Sequence, residues 1–238
     1  MRPDMLTERA RLMGIALSAE AAERICEYHG MLTRKNREMN LTRVPDDPEE
    51  AMDRNYLDSL SVLSADGAAE AAETAIDVGS GAGFPGLVLA CARSGTHMIL
   101  IDAQRKRVEF LNEVIRALRL NAEALHLRAE DAGRGRLRES ADLVTARAVA
   151  DLRVLAEWTL PLAKVGGRVV LWKGPTIRQE IEDAGGALAA LGGGAPRVLP
   201  VEFPGRDWQH RLLILDKVTP TPAALPRRAG IAQKRPLK

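Results

Sequence analysis

The sequence predicts an α/β protein with a mainly parallel, doubly wound β-sheet, a reversed terminal strand and an N-terminal helical extension. From Thr74 onward, short apolar runs alternate with amphipathic helices, a pattern typical of a parallel sheet with helices on both faces. The last two apolar runs are separated by a loop too short for a helical crossover, which predicts an antiparallel pair. Before Thr74, helix caps and helical spacing predominate.

Three helices are expected before the sheet. Thr7 can cap a short helix that stops at Gly14, and Ser18 can cap a longer one. Asp47 followed by Pro48 predicts the start of the third, because a capping carboxylate and an early proline are both typical of helix N-termini. The third helix carries apolar residues at helical spacing, which predicts a buried face: Met52, Tyr56, Leu57, Leu60 and Leu63.

The predicted strands are the runs AIDV, MILID, EALHL, DLVTA, RVVLW, RVLPVEF and RLLILDK. Between them, residues 105 to 118 form the clearest helix, because its apolar residues make one stripe between charged ones: Val108, Leu111, Val114, Ile115 and Leu118.

No membrane segment or secretion signal is apparent in the sequence. No apolar run approaches the roughly 20 residues that a membrane helix needs, and the first residues mix charges without an apolar signal core. We therefore expect a cytoplasmic protein without a membrane partner. Cys26 and Cys91 form no CxxC pair, so no metal is predicted. The dispersed histidines are interpreted as structural or surface residues: His29, His97, His126 and His210.

The formal net charge of +2 argues weakly against a nucleic-acid partner, but the charge is unevenly spread. The tail from Pro226 onward has no acid and several bases, namely Arg227, Arg228, Lys234, Arg235 and Lys238. Two interpretations remain open, a solvated end that aids solubility and a segment that contacts phosphate.

A glycine-rich segment runs from the first predicted strand into a helix whose first residue is predicted to be Pro85: Asp77-Val78-Gly79-Ser80-Gly81-Ala82-Gly83-Phe84-Pro85-Gly86. Glycines are needed where a ligand approaches the backbone and where φ is positive. From Gly81 the segment also fits G-x-G-x-x-G, and Asp102 ends the next strand about 20 residues on. The motif alone leaves S-adenosyl-L-methionine and a nicotinamide dinucleotide open.

Two features favour S-adenosyl-L-methionine. Asp77 stands two residues before the first of three alternating glycines, and a terminal hairpin replaces a second mononucleotide-binding half. With this donor, the Asp102 carboxylate would accept hydrogen bonds from both ribose hydroxyls, because both its oxygens are acceptors. The alternative role of Asp102 is to cap the helix that follows it.

Separated segments resemble the RsmG (GidB) family, in order and spacing, over nearly the whole chain. They are Asn40-Leu41-Thr42, Tyr56-Leu57-Asp58-Ser59, Asp77 to Gly86, Asp102 with Lys106-Arg107 and Phe110-Leu111, Ala129-Glu130, Ala146-Arg147-Ala148, Leu171-Trp172-Lys173-Gly174, and Pro226-Arg227-Arg228-Ala229-Gly230 with Lys234 and Pro236.

The resemblance implies a class I S-adenosylmethionine-dependent methyltransferase of Rossmann-like fold, with an N-terminal helical extension (1–73), a Rossmann-like methyltransferase domain (74–217) and a basic C-terminal tail (218–238). It implies activity as a 16S rRNA (guanine(527)-N(7))-methyltransferase, acting on 16S ribosomal RNA or the small ribosomal subunit. It further implies that Gly79 and Phe84 line the donor pocket with Gly81 and Gly83, that Ala129 and Glu130 meet the adenine, and that Arg147 closes the site.

The sequence departs from the family's pattern at Asn55, where most relatives carry His in R-H-x-L-D-S. An asparagine keeps a donor and an acceptor but cannot titrate. This substitution is tolerable because N7 of guanine has an in-plane lone pair and no proton, so no general base is needed. Alignment of N7 with the methyl group would do most of the catalysis.

An unstacked guanine needs contacts to its base and to its phosphates. Phe84, Trp172 and Trp208 are candidates for stacking, although Trp172 lies in a buried strand pattern and is better explained as core. Arg147 and Lys173, at predicted strand ends, and Arg211 are expected to act on the RNA and to share phosphate contact with the basic tail.

Other functions stay open at this stage. A small-molecule methyltransferase of the same fold would need no basic tail, a nicotinamide oxidoreductase would use the same glycine motif, and a non-catalytic RNA-binding assembly factor could retain the pocket.

Overall fold

The computed structural model describes residues 1–65, 71–147 and 150–238. In this part of the chain the strands are β1 (Thr74–Val78), β2 (His97–Asp102), β3 (Ala122–His126), β4 (Ala141–Ala146), β5 (Ala163–Lys173), β6 (Arg197–Val201) and β7 (His210–Asp216). They form one sheet in the order β3-β2-β1-β4-β5-β7-β6.

Strands β1 to β5 are parallel, whereas β7 lies antiparallel between β5 and β6. Lys173 faces Arg211 across the β5–β7 pair, and Val201 faces His210 across the β6–β7 pair. The loop between β6 and β7 cannot hold a crossover of about a dozen residues, so the chain reverses there. The predicted parallel sheet with a reversed terminal strand is confirmed.

The helices of the described chain are α1 (Pro3–Leu12), α2 (Ala19–Asn36), α3 (Pro48–Ala51), α4 (Asp58–Leu60), α5 (Gly86–Ala92), α6 (Arg105–Ala117), α7 (Ala129–Arg134), α8 (Leu152–Thr159), α9 (Ile177–Ala190) and α10 (Ile231–Lys234). A π-helical turn, which we call the π segment (Met52–Leu57), joins α3 to α4. A 3₁₀ turn follows α4 at Ser61–Leu63.

Most predicted helix signals are confirmed. The Ser18 side chain accepts a hydrogen bond from Ala21 N at 3.1 Å, and Asp47 accepts from two backbone amides at the start of α3. Thr7 is not a cap, which corrects the prediction: α1 begins at Pro3, because proline presets the helical φ, and the Thr7 hydroxyl donates back to Pro3 O. Likewise α5 begins at Gly86, one residue later than predicted.

The N-terminal helices and one face of the sheet share a hydrophobic core. Tyr28 and Tyr56 are fully buried in it together with Phe84 of the glycine segment and Val170 of β5. The opposite face packs on α8 and α9 through a second cluster that includes Leu155. The three-part division at residues 73 and 217 stays a prediction, and apolar packing crosses the first of these boundaries.

The basic tail packs on the protein. Arg227 forms a bidentate ion pair with the fully buried Glu157 of α8, at distances down to 2.6 Å, and its backbone amide donates to the same carboxylate. Ala232 is buried as well. The interpretation as a solvated end is therefore wrong for this segment, although several of its cations are exposed: Arg228, Lys234, Arg235 and Lys238.

A buried ion-pair cluster centres on Asp53 in the π segment. The fully buried carboxylate accepts two hydrogen bonds from Arg9 of α1, both at 2.8 Å, and one from Arg206 Nε at 2.8 Å. Arg206 belongs to the loop between β6 and β7. The cluster thus joins the start of the chain to the reversed end of the sheet.

We expect Asp53→Ala to lower the free energy of unfolding clearly more than the loss of an exposed ion pair does, because it removes a fully buried carboxylate that binds two half-buried guanidinium groups. Arg206→Ala should lower the free energy of unfolding less than Asp53→Ala does, because the ion pair between Arg9 and Asp53 remains. Urea unfolding followed by circular dichroism measures both, with Arg11→Ala, which breaks an exposed pair with Glu8, as the control. An Asp53→Ala variant as stable as Arg11→Ala would contradict the prediction.

Candidate functional site

The glycine segment leaves the carboxyl end of β1 in a left-handed conformation at Gly79, Gly81 and Gly83, with φ of 70°, 58° and 113°. A Cβ on Gly79 would have no atom within 4 Å, and one on Gly81 would meet only Gly79 O, at 3.8 Å. A Cβ on Gly83 would lie 2.5 Å from Leu87 and 2.8 Å from the Tyr28 hydroxyl. The first two glycines therefore face open space, and the third is required by packing.

Asp77, in β1, binds the start of α5 and the end of β4. Its fully buried carboxylate accepts hydrogen bonds from the Thr145 hydroxyl at 2.8 Å and from Gly86 N at 3.1 Å. Burial raises the pKa of Asp77 to about 6, against the hydrogen bonds that favour the ionised form. Above the loop, the Tyr28 hydroxyl of α2 donates to Ala82 O at 2.7 Å.

The Asp102 carboxylate, at the end of β2, binds two backbone amides. One oxygen accepts from Gly81 N at 2.9 Å, and the other accepts from Gln104 N at 2.8 Å before α6. Asp102 is not the cap of α6, which was its alternative interpretation: Gln104 occupies the N-cap position, and Asp102 accepts from its amide in the turn before the helix. Asp102 also joins the second strand to the glycine segment. A carboxylate has acceptor positions beyond these two bonds, so ribose binding by Asp102 stays a prediction.

Ala129 and Glu130 begin α7 on the same edge of the sheet. Ala129 is half-buried, whereas Glu130 is buried and its Oε1 accepts a hydrogen bond from Gly230 N at 2.9 Å. The carboxylate therefore holds the C-terminal tail, and contact of these two residues with adenine stays a prediction.

Arg147 follows β4 and reaches across the opening of the site. Its guanidinium carbon lies 5.0 Å from the centre of the Phe84 ring. Its Nη1 donates to the Arg54 and Asn55 carbonyls and contacts the Asp58 carboxylate at 3.2 Å. The side chain thus links the glycine segment to the π segment and α4.

Asp58 connects three parts of this site. It is 4% exposed, and its second carboxylate oxygen lies 3.0 Å from His210 Nδ1 at the start of β7. Its backbone carbonyl accepts a hydrogen bond from Trp172 Nε1 at 2.7 Å. Together with Arg147, these contacts make Asp58 the centre of what we call the Asp58 cluster: Asp58, Arg147, Trp172 and His210.

Lys173 and Arg211 face one another across β5 and β7, next to this cluster. Lys173 Nζ lies 2.5 Å from a Glu180 carboxylate oxygen and donates to Ala150 O at 3.0 Å. Arg211 is half-buried and donates to His210 O at 3.3 Å. The structure thus places all three predicted RNA-acting residues at the carboxyl edge of the sheet, with Lys173 already in an ion pair.

The predicted stacking residues have little free ring surface. Phe84 is buried between Tyr28, Tyr56 and Arg147, and Trp172 is buried, as its strand position indicated. Trp208 is half-buried, with the Arg54 guanidinium 4.1 Å from its ring centre and His210 stacked on it at 5.6 Å.

The contacts of Asp58 and His210 could not be predicted from the sequence. Asp58 lies in one of the segments that carry the family resemblance, but nothing in its spacing indicated a partner in β7. Asn55, three residues earlier, is buried, and its Nδ2 has no hydrogen-bond partner among the described residues. Like any amide, Asn55 cannot act as an acid or base, as predicted from its residue type.

The residues around the glycine segment fit an S-adenosylmethionine donor. Gly79 and Gly81 leave an open approach to the backbone that a Cβ would fill, and Asp102 supplies acceptors at the adjacent strand end. Within the described ranges, no group of three or more His, Cys, Asp or Glu side chains could hold a metal ion, and no helix is long and apolar enough to cross a membrane.

The sequence profile of GidB, rRNA small subunit methyltransferase G, matches residues 21–200. The chain belongs to this family. It is similar to ribosomal RNA small subunit methyltransferase G of Symbiobacterium thermophilum, with 41% identity over 98% of this chain and 97% of that protein. The protein of the same name from Clostridium perfringens is 39% identical over 99% and 98% of the two chains.

Solved structures show the same fold. Cofactor-bound Rv0187 from MTB matches with a TM-score of 0.58 and 16% identity, over 83% of this chain and 91% of that one. A protein from Corynebacterium glutamicum matches with a TM-score of 0.54 and 18% identity, over 81% and 90%. The RsmG (GidB) resemblance and the class I methyltransferase fold are confirmed, and S-adenosyl-L-methionine is the methyl donor of the family. The nicotinamide alternative is thereby set aside.

We expect Gly79→Ala to weaken S-adenosylhomocysteine binding about tenfold or more, because the new methyl group points into the ligand's approach. Gly14→Ala is a matched control: Gly14 has φ of 73°, and its Cβ would also have no atom within 4 Å. Both variants should lose about 1–2 kcal/mol of stability from left-handed strain, and only Gly79→Ala should lose affinity in calorimetry. Equal affinities would contradict the prediction.

Asp77 should make the protein more stable as the pH falls from about 7 to 5. The folded protein takes up a proton at Asp77 below about pH 6, whereas the unfolded chain does so only near the ordinary value of 3.8. By linkage, this difference adds about 1 kcal/mol to the free energy of unfolding. The stability of the wild type relative to Asp77→Asn should rise accordingly in urea titrations, with exposed Asp131→Asn as the control. If the difference in stability between the wild type and Asp77→Asn did not change with pH, Asp77 would not be the source of the effect.

Proposed function

We propose that this protein transfers a methyl group from S-adenosyl-L-methionine to N7 of guanine 527 in 16S ribosomal RNA, within the small ribosomal subunit and in the cytoplasm. The observation that carries the proposal is family membership over residues 21–200 together with an open glycine segment at the carboxyl end of β1. The carboxyl ends of parallel strands are where ligands bind in this architecture.

The donor, when bound, supplies a methyl group on a positively charged sulfur. Guanine N7 carries a lone pair and no proton, so the protein's own residues need not remove one. Their task is to align the base with the methyl group and to exclude water. Such alignment can lower the activation barrier by several kcal/mol. The absence of a histidine at Asn55 is compatible with this chemistry.

In the proposed site, the donor lies against Gly79, Gly81, Gly83 and Phe84, with Asp102 at its ribose. Ala129 and Glu130 border the adenine. In this arrangement the Glu130 carboxylate keeps its hydrogen bond with Gly230 N of the tail, and the backbone of Glu130 faces the ligand. Arg147 closes the site above Phe84. The base must be unstacked, because the deep, narrow groove of A-form RNA shields N7.

Arg147, Lys173 and Arg211 are proposed to act on the RNA strand that carries the guanine. Arg147 follows β4, Lys173 ends β5 and Arg211 is the second residue of β7, so all three lie at one edge of the sheet. Each has a cation that can bind phosphate. Lys173 would exchange Glu180 for phosphate when RNA binds. The exposed cations of the packed tail, such as Arg228 and Lys234, extend the basic surface.

Replacing Arg147, Lys173 and Arg211 together with Ala should weaken RNA binding and reduce the slope of log affinity against log salt by about 2, because three phosphate contacts are lost. A control triple variant removes the same charge at exposed Arg11, Arg116 and Arg136. Filter binding to 16S RNA at several salt concentrations measures both slopes. Identical slopes would exclude these residues as the phosphate contacts.

The decisive experiment is methyl transfer from labelled donor to small subunits that lack the modification, followed by reduction and aniline cleavage, which locates N7-methylguanine. Cleavage at guanine 527 alone is the expected result. Donor binding without transfer to subunits or to naked 16S RNA would contradict the proposal. It would favour a small-molecule methyltransferase if another acceptor is methylated, or a non-catalytic assembly factor if none is.

A further inference from the structure

An open pocket lies beside the Asp58 cluster, at the carboxyl end of β5. It has a volume of about 540 Å³, within the range of small-ligand sites, and Trp172, Lys173, Gly174 and His210 form part of its wall. Arg147 links the wall residue Asp58 to the glycine segment, since its guanidinium contacts the Asp58 carboxylate at 3.2 Å and lies 5.0 Å from the Phe84 ring. The pocket is therefore adjacent to the proposed donor site.

The imidazole of His210, in the wall of this pocket, is oriented by three contacts. Its Nδ1 is fixed by Asp58 at 3.0 Å, one ring face stacks on Trp208, and Phe203 meets the ring edge-on with centroids 5.3 Å apart. The side chain is nevertheless 29% exposed. Nothing in the described chain is seen to bond its Nε2. The imidazole is thus oriented with one nitrogen left for a ligand.

The tautomer of the neutral imidazole follows from its partner. Because the Asp58 carboxylate is an acceptor, His210 Nδ1 must carry a proton. In the neutral ring, Nε2 is then an acceptor only, and it needs a donor from the ligand. Guanine offers its N1–H and 2-amino donors on the edge opposite N7, whereas adenine has no donor at position 2.

We infer that His210 Nε2 accepts a hydrogen bond from the 2-amino group of the target guanine, and that Asp58 is the positioning residue that sets the tautomer. The inference rests on the proposed function and names its base-specificity contact. Held at its 2-amino group, the guanine presents N7 away from His210. The contact therefore selects guanine without occupying the atom that is methylated.

Inosine in place of the target guanine tests this contact, because inosine lacks the 2-amino group and keeps N7. Small subunits are reconstituted with 16S RNA that carries guanine or inosine at the target, and kcat/KM is measured for each. The wild type should prefer guanine about tenfold, since the unpaired acceptor is costly. His210→Ala should methylate both substrates slowly and with a ratio near one.

Three further variants sharpen the test. His210→Gln keeps an acceptor and should retain part of the preference, which also covers a failure of His210→Ala to fold. Asp58→Asn can donate to Nδ1, which would make Nε2 a donor, so the preference should disappear. His97→Ala removes an exposed imidazole on β2 and should keep the wild-type ratio. Retained binding of S-adenosylhomocysteine shows that each variant is folded.

The outcomes separate the two proposals. No transfer to guanine-containing subunits overturns the proposed function and this inference with it. Equal transfer by the wild type to guanine and inosine subunits overturns the His210 contact alone. A His210→Ala variant that still prefers guanine tenfold does the same.

Discussion

The site depends on the buried carboxylate of Asp77, at which β1, β4 and α5 meet. One oxygen binds the Gly86 amide and the other binds the Thr145 hydroxyl. A Cβ on Gly86 would lie 2.7 Å from Asp77 Oδ2, so only a glycine allows the helix to begin this close to the strand. This close contact fixes where α5 begins relative to β1, and the glycine segment spans the gap between these two elements.

The N-terminal helices complete the site and do not merely precede it. Tyr28 of α2 donates to the glycine loop, and Asp58 of α4 binds both the arginine after β4 and the histidine that begins β7. The sheet alone would leave Arg147 without its carboxylate and His210 without its fixed tautomer. The proposed donor site and the proposed base contact therefore border one core, in which the two tyrosines and Phe84 are in contact.

The sheet, its reversed strand and the caps at Ser18 and Asp47 could be predicted from sequence, because each depends on local spacing. Thr7 failed as a cap because an earlier proline started the helix. The Asp58–His210 pair spans 152 residues and depends on the register of β7 against β5, which no local pattern encodes. For the same reason the acidic partners of Lys173 and Arg227 could not be predicted. These partners, Glu180 and Glu157, lie on helices that are distant in sequence from the cations or meet them only through tertiary packing.

The π segment, between α3 and α4, contains one residue more than a regular α-helical turn. The backbone hydrogen bond from Asp58 N to Asp53 O shows this extra residue. The added residue sets the angle between Asp53, which faces two arginines, and Asp58, which faces the site. Losing one residue there would turn α4 by about 100° and carry Asp58 away from Arg147 and His210. The length of this stretch is therefore constrained by two carboxylates whose partners lie on different sides of the helix.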